Sequence, residues 1–108
     1  MERYVLIASR DPLTARDVDG FFGLAASLAA RGHPLTVFLV QNGVLAARRI
    51  PAAAPLTRLA HSGVAVLADQ FSLRERGIAD DRLAAGIRTG DVGEVVDALA
   101  DGARVLWS

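Results

Sequence analysis

A chain of 108 residues that is 52% hydrophobic can bury one core without disulfide or metal staples. Twelve basic residues, all arginine, balance twelve acidic ones to a formal net charge of zero, which excludes the basic footprint of a nucleic-acid or anionic-membrane binder. With no cysteine there are no disulfides, thiolate nucleophiles or sulfur ligands for a metal. With no lysine there is no Schiff-base or P-loop chemistry. His33 and His61 are too few and too separated for a zinc site, so no metal and no cofactor is expected. The apolar run after Met1 is shorter than the ~7–15 residues of a signal-peptide core. No stretch reaches the ~18 apolar residues of a membrane span. A cytoplasmic location, with no membrane partner, is the expectation.

In chain order, Tyr4–Ala8 is a continuous apolar run, as expected of a strand buried on both faces of a parallel sheet. Ser9-Arg10-Asp11-Pro12 turns the chain, since the proline disfavours helix at Asp11. Val18, Phe21, Phe22, Leu24, Ala25 and Leu28 recur at helical spacing across Arg16–Ala30, with Asp17 and Asp19 in a first turn that favours carboxylates. Gly32 ends it. Leu35–Val40 is the clearest strand, and Gln41-Asn42-Gly43 at its carboxyl end leads into a helical continuation over Val44–Arg49. Ile50–Pro55 reads as a proline-bounded loop, and Leu56–His61 as one or two helical turns stopped at Ser62-Gly63.

Val64–Ala68 forms the third strand. Asp69 follows at its end and opens a short helix closed by Gly77. Within Ile78–Ala85, Ala79-Asp80-Asp81 could cap a short turn, and Gly86–Gly90 forms a minimal fourth strand. Asp91–Ala100 is a helix with Val92, Val95, Val96 and Leu99 on one side. Its capping box pairs Asp91 with Glu94. Arg104–Trp107 is the last strand. The alternation gives an α/β, single-domain, Rossmann-like parallel sheet of about five strands with helices on both faces.

Parallel connectivity places the corners after the first three strands on one edge, where ligands bind in such sheets. The candidate ligand-binding residues are therefore Ser9 and Arg10, Asn42 and Gly43, and Asp69 and Gln70. Arg10 is the natural anion anchor. Each also has a plain structural role: these loops turn the chain, and Asp is among the best N-cap residues. The cap reading of Asp69 is favoured over a catalytic one, because accepting a helix N–H is reason enough for Asp at this position. Arg74, Glu75 and Arg76 read as a solvated face or a subunit contact. Ser9 lacks the glycine context of a nucleophile elbow, and Gly20 and Gly23 lie inside a helix rather than in a phosphate loop. No catalytic residue is assigned.

The order of pieces carries a resemblance. Ala29-x-Arg31-Gly32-His33 precedes Val37-Phe-Leu-Val-Gln-Asn-Gly-Val44. Ser62-Gly-Val-x-Val-Leu-Ala-Asp69-x-Phe-Ser-Leu-Arg-Glu-Arg-Gly-Ile78 then leads to Ala103-x-Val-Leu-Trp107. Over essentially the whole chain this resembles the DsrE/DsrF-like (YchN-like) family, which includes the Tus and Dsr sulfur-relay subunits. The resemblance implies a compact α/β fold assembled as dimers, trimers or hexamers. It also implies, in active members, a persulfide on a cysteine near the end of the third strand. Counting back from the Arg76-Gly77 pair reaches Asp69, with Ala68 and Gln70 one residue either side. No register supplies a thiol.

Three functions follow as expectations. The first is a non-catalytic DsrE-like subunit, unable to carry a persulfide, in a homo-oligomer or in a hetero-oligomer with a cysteine-bearing relative. The second is a small-ligand or anion-binding module at the strand-end edge. The third is a non-thiol enzyme using Asp69.

Overall fold

The computed structural model describes residues 2–11 and 18–108, apart from the side chain of Asp19. Pro12, Arg16 and Asp17, and with them the expected turn and first helical turn, lie outside the described residues.

Five strands form one sheet: β1 (Tyr4–Ala8), β2 (Leu35–Leu39), β3 (Ala65–Asp69), β4 (Ile87–Gly90) and β5 (Arg104–Trp107), in the order β4-β3-β2-β1-β5. Every pairing is parallel. The inner strands are short apolar runs because both of their faces are covered. The registers Ala8 with Leu39, Leu39 with Ala68 and Asp69 with Gly90 bring the carboxyl ends of four strands to a common edge.

Side-chain alternation divides the core into two layers. On one face Leu6, Ala8, Val37, Leu39, Val66 and Ala68 pack beneath α1 (Val18–Ala30) and α2 (Ala54–His61). Leu73 of α3 (Gln70–Glu75) joins the same layer. On the other face Val5, Ile7, Phe38 and Leu67 meet α4 (Val92–Ala100) through Val95 and Ala98. Phe38 is 2% exposed and among the largest fully buried side chains.

Local structure departs from the sequence expectation in three places. The segment after β2 is a 3-10 helix over Gln41–Ala47 rather than an α-helix, and it ends before Arg48. The proline-bounded loop is itself partly helical: Pro51–Ala53 is a 3-10 turn, and α2 begins at Ala54, before Pro55. Proline suits these first positions because its missing N–H would have no helical partner there. In α4 the apolar side is split, since Val95 and Ala98 are buried while Val92, Val96 and Leu99 are exposed. That helix is apolar over a wider arc than one sheet face can cover. Its capping box is present, with the Glu94 carboxylate accepting the Asp91 N–H at 3.2 Å.

Candidate functional site at the carboxyl edge of the sheet

The corner after β3 is built around one carboxylate. Asp69 ends the strand in extended conformation (φ −60°, ψ 122°) and caps α3. Its Oδ2 accepts the Ser72 N–H at 2.9 Å and the Ser72 hydroxyl at 2.6 Å. Asp69 is only 8% exposed and Ser72 is fully buried, so both bonds lie away from water, where an unmade bond is costly. Gly77, at φ 64°, closes α3 in the left-handed region.

The same serine reaches the next corner. Ser72 Oγ accepts the backbone N–H of Gln41 at 2.8 Å. Gln41 is the one non-glycine residue with positive φ among the described residues, at 54°. A left-handed conformation costs a residue with a Cβ roughly 1–2 kcal/mol, so this joint holds a local strain in place. Arg76 fixes it from the other side: Nε and Nη2 donate to Asn42 Oδ1 at 3.2 and 3.0 Å, and Nη1 donates to the Ser72 carbonyl at 3.2 Å.

Gly43 has a different task. A Cβ built on it would lie 2.1 Å from the Ala8 carbonyl oxygen and 2.9 Å from its carbon. The 3-10 helix therefore packs backbone to backbone on the end of β1, beside the Val40 N–H to Ala8 bond at 3.0 Å.

The first corner faces the other way. The Ser9 hydroxyl donates to the Ser108 carbonyl at 2.8 Å and accepts the Trp107 indole N–H at 3.3 Å. Arg10 Nη2 donates to Ser108 Oγ at 3.2 Å. The six candidate residues do not converge on one site. Asp69 and Asn42 are joined through Ser72 and Arg76, Gly43 packs on Ala8 at the end of β1, and Ser9 and Arg10 bond Ser108. Gln70 is exposed as the first residue of α3. Among the described residues no buried side-chain nitrogen or oxygen lacks a hydrogen bond.

Two residues that complete the corner, Ser72 and Arg76, were not among the sequence candidates. Ser72 carried a usable signal, because it stands at the third helical position after an Asp cap. Arg76 carried none, because its partner Asn42 is distant in sequence. The histidines stand apart from this edge: His33 Nδ1 lies 3.1 Å from the Glu2 carbonyl, and His61 Nδ1 lies 2.8 Å from the Thr57 carbonyl. A cleft of about 660 Å³ opens between α1 and α2, lined by Phe22, Gly23, Ala26, Pro55, Arg58 and Leu59. None of these is a strand-end residue. Among the described residues no three His, Asp or Glu side chains cluster as a metal site would need, and no helix is long and apolar enough to cross a membrane.

The family model for DsrE/DsrF-like proteins matches residues 2–107. The chain belongs to the DsrE/DsrF-like family. Solved structures share the fold. The ychN protein of E. coli superposes with a TM-score of 0.91 at 22% identity over 100% of both chains. MTH1491 of Methanobacterium thermoautotrophicum, described as of unknown function, gives 0.89 at 22% over 100% of both chains. BT1422 of Bacteroides thetaiotaomicron, a conserved protein of unknown function, gives 0.79 at 19%, covering 97% of this chain and 94% of its own. No curated protein matches. In this DsrE-like chain, related to sulfur-relay proteins, the end of β3 holds a hydrogen-bonded carboxylate, and no residue of the sequence is a cysteine.

Proposed function

We propose that the chain is a non-catalytic DsrE-like subunit, working in an assembly with itself or with a cysteine-bearing relative and carrying no persulfide of its own. The observation that carries this reading is Asp69. It stands at the end of the third strand, where relay members of the family are expected to place their thiol, and both its bonds to Ser72 are spent on the joint between β3 and α3. Sulfane sulfur is held by attack of a thiolate on another sulfur, and a carboxylate has no equivalent reaction. The mutual satisfaction of Asn42, Ser72, Arg76 and Asp69 supports a structural corner rather than one awaiting a small anion.

Assembly is the part of the reading open to direct measurement. Native mass spectrometry of the purified chain at micromolar concentration is expected to give a multimer, or a complex once a cysteine-bearing relative is co-expressed. A monomer under both conditions would contradict the proposal.

A further inference from the structure

The sheet's two faces are unequally covered. A helix with its side chains is ~10–12 Å across and neighbouring strands are ~4.8 Å apart, so one helix covers about two strands. On one face α1 and α2 lie side by side, with further turns filling the remainder. On the other, α4 alone sits over β1, β2 and β3.

The orientation of α4 shows which flank is left open. Glu94 pairs with Arg88 of β4 at 3.7 Å, so this side of the helix faces β4. Val96, two residues on, is turned by ~200° from Glu94. Val92, Val96 and Leu99, at spacings of four and three, therefore form a stripe along the flank toward β5. They are 64%, 56% and 50% exposed. On the same sheet face, the pairings of Val5 with Val105 and Ile7 with Trp107 place Val105 and Trp107 as the floor beside that stripe. Trp107 is 66% exposed. Its ring alone offers on the order of 150 Å² toward the roughly 800 Å² that each side of a stable pair contributes.

We infer that this trough is the contact surface between two copies of the chain. Each α4 lays its Val92–Val96–Leu99 stripe beside the other's and over the other's Val105–Trp107 floor, so that two helices lie between two sheets. Three observations fit a second copy. α4 has the length to cover the floor: nine residues at ~1.5 Å each match a four-residue strand at ~3.3 Å per residue. It carries small Gly93 and Ala100 on its outer side to permit close approach. Charge also fits. Glu94 and Asp97 share the flank away from the stripe, Asp101 is 3.8 Å from Arg3, and a net charge of zero gives two copies no mutual repulsion. A two-fold arrangement in which stripe meets floor and floor meets stripe is self-complementary.

This inference deepens the assembly reading above and can fail separately from it. Trp107 is the sole tryptophan, so its fluorescence reports the floor directly. Sedimentation and acrylamide quenching of the full chain are compared with those of Val96→Glu, an exposed helical position where Glu is well tolerated. The wild type is expected to sediment as a pair or a multiple of pairs at micromolar concentration. Its Trp107 should be quenched several-fold less than in the variant, which should run at half the mass or less with an unchanged far-UV spectrum. Leu99→Lys, on the same stripe, gives the reading should Val96→Glu fail to fold. A wild-type monomer, or a Trp107 as open to quencher as in the variant, overturns the inference. So does an oligomer that neither variant alters, although the broader assembly reading then stands. Shielding of Trp107 only on adding a cysteine-bearing relative would assign the trough to that partner instead and overturn the second copy.

Discussion

Gly43→Ala is expected to cost about 3 kcal/mol of stability, at the severe end of what overpacking does. The added methyl would stand 2.1 Å from the Ala8 carbonyl oxygen, against main chain that belongs to the central strands and cannot rotate aside. Relief requires the Gln41–Ala47 turn to lift off the end of β1. That lift would loosen the Val40–Ala8 bond and draw Gln41 away from Ser72. A domain of this size is held by roughly 5–15 kcal/mol in all, so the loss is a large share. Thermal melting should fall by roughly 12–24 °C, on ~4–8 °C per kcal/mol. Gly23→Ala is the control. A Cβ there meets nothing within 4 Å, and the helix interior gains from the change, so melting should hold or rise by the equivalent of ~0.5–1 kcal/mol.

Asp69→Ala is expected to cost about 2–3 kcal/mol. Loss of the helix cap accounts for ~1 kcal/mol. The remainder comes from the buried Ser72 hydroxyl, which would lose its acceptor with no water to replace it. Asp69→Asn keeps the shape and one acceptor oxygen and should lose less than half as much. Urea unfolding of the three proteins separates these terms. An Asp69→Ala protein as stable as the wild type would show that the corner does not depend on its carboxylate.

Much of this architecture was legible in the chain, because the inner strands are written as short apolar runs punctuated by turn residues. Asp69 read as a cap from local sequence alone, since its acceptor role depends on residues directly after it. The corner as a whole did not. Ser72's second bond goes to Gln41, and Arg76's partner is Asn42, and both links appear only when two strand ends are brought side by side. Gly43 likewise looked like a turn residue or a ligand contact, while in the structure it is the point where two backbones touch. Ser9 and Arg10 were grouped with the other corners by topology, but the first corner leans toward β5 and binds Ser108. In α4, periodicity marked an apolar side correctly as apolar. It could not say that one sheet face would bury only Val95 and Ala98, leaving the stripe from which an interface is argued.

The proposal that this family member has kept the fold and left the sulfur chemistry is tested most directly by offering it sulfur. The purified chain is incubated with inorganic polysulfide, desalted and weighed intact, before and after treatment with a thiol reductant. The expected result is an unchanged mass throughout, because neither Asp69 nor any other residue provides a thiolate to hold sulfane sulfur. A retained sulfur that the reductant removes would contradict it.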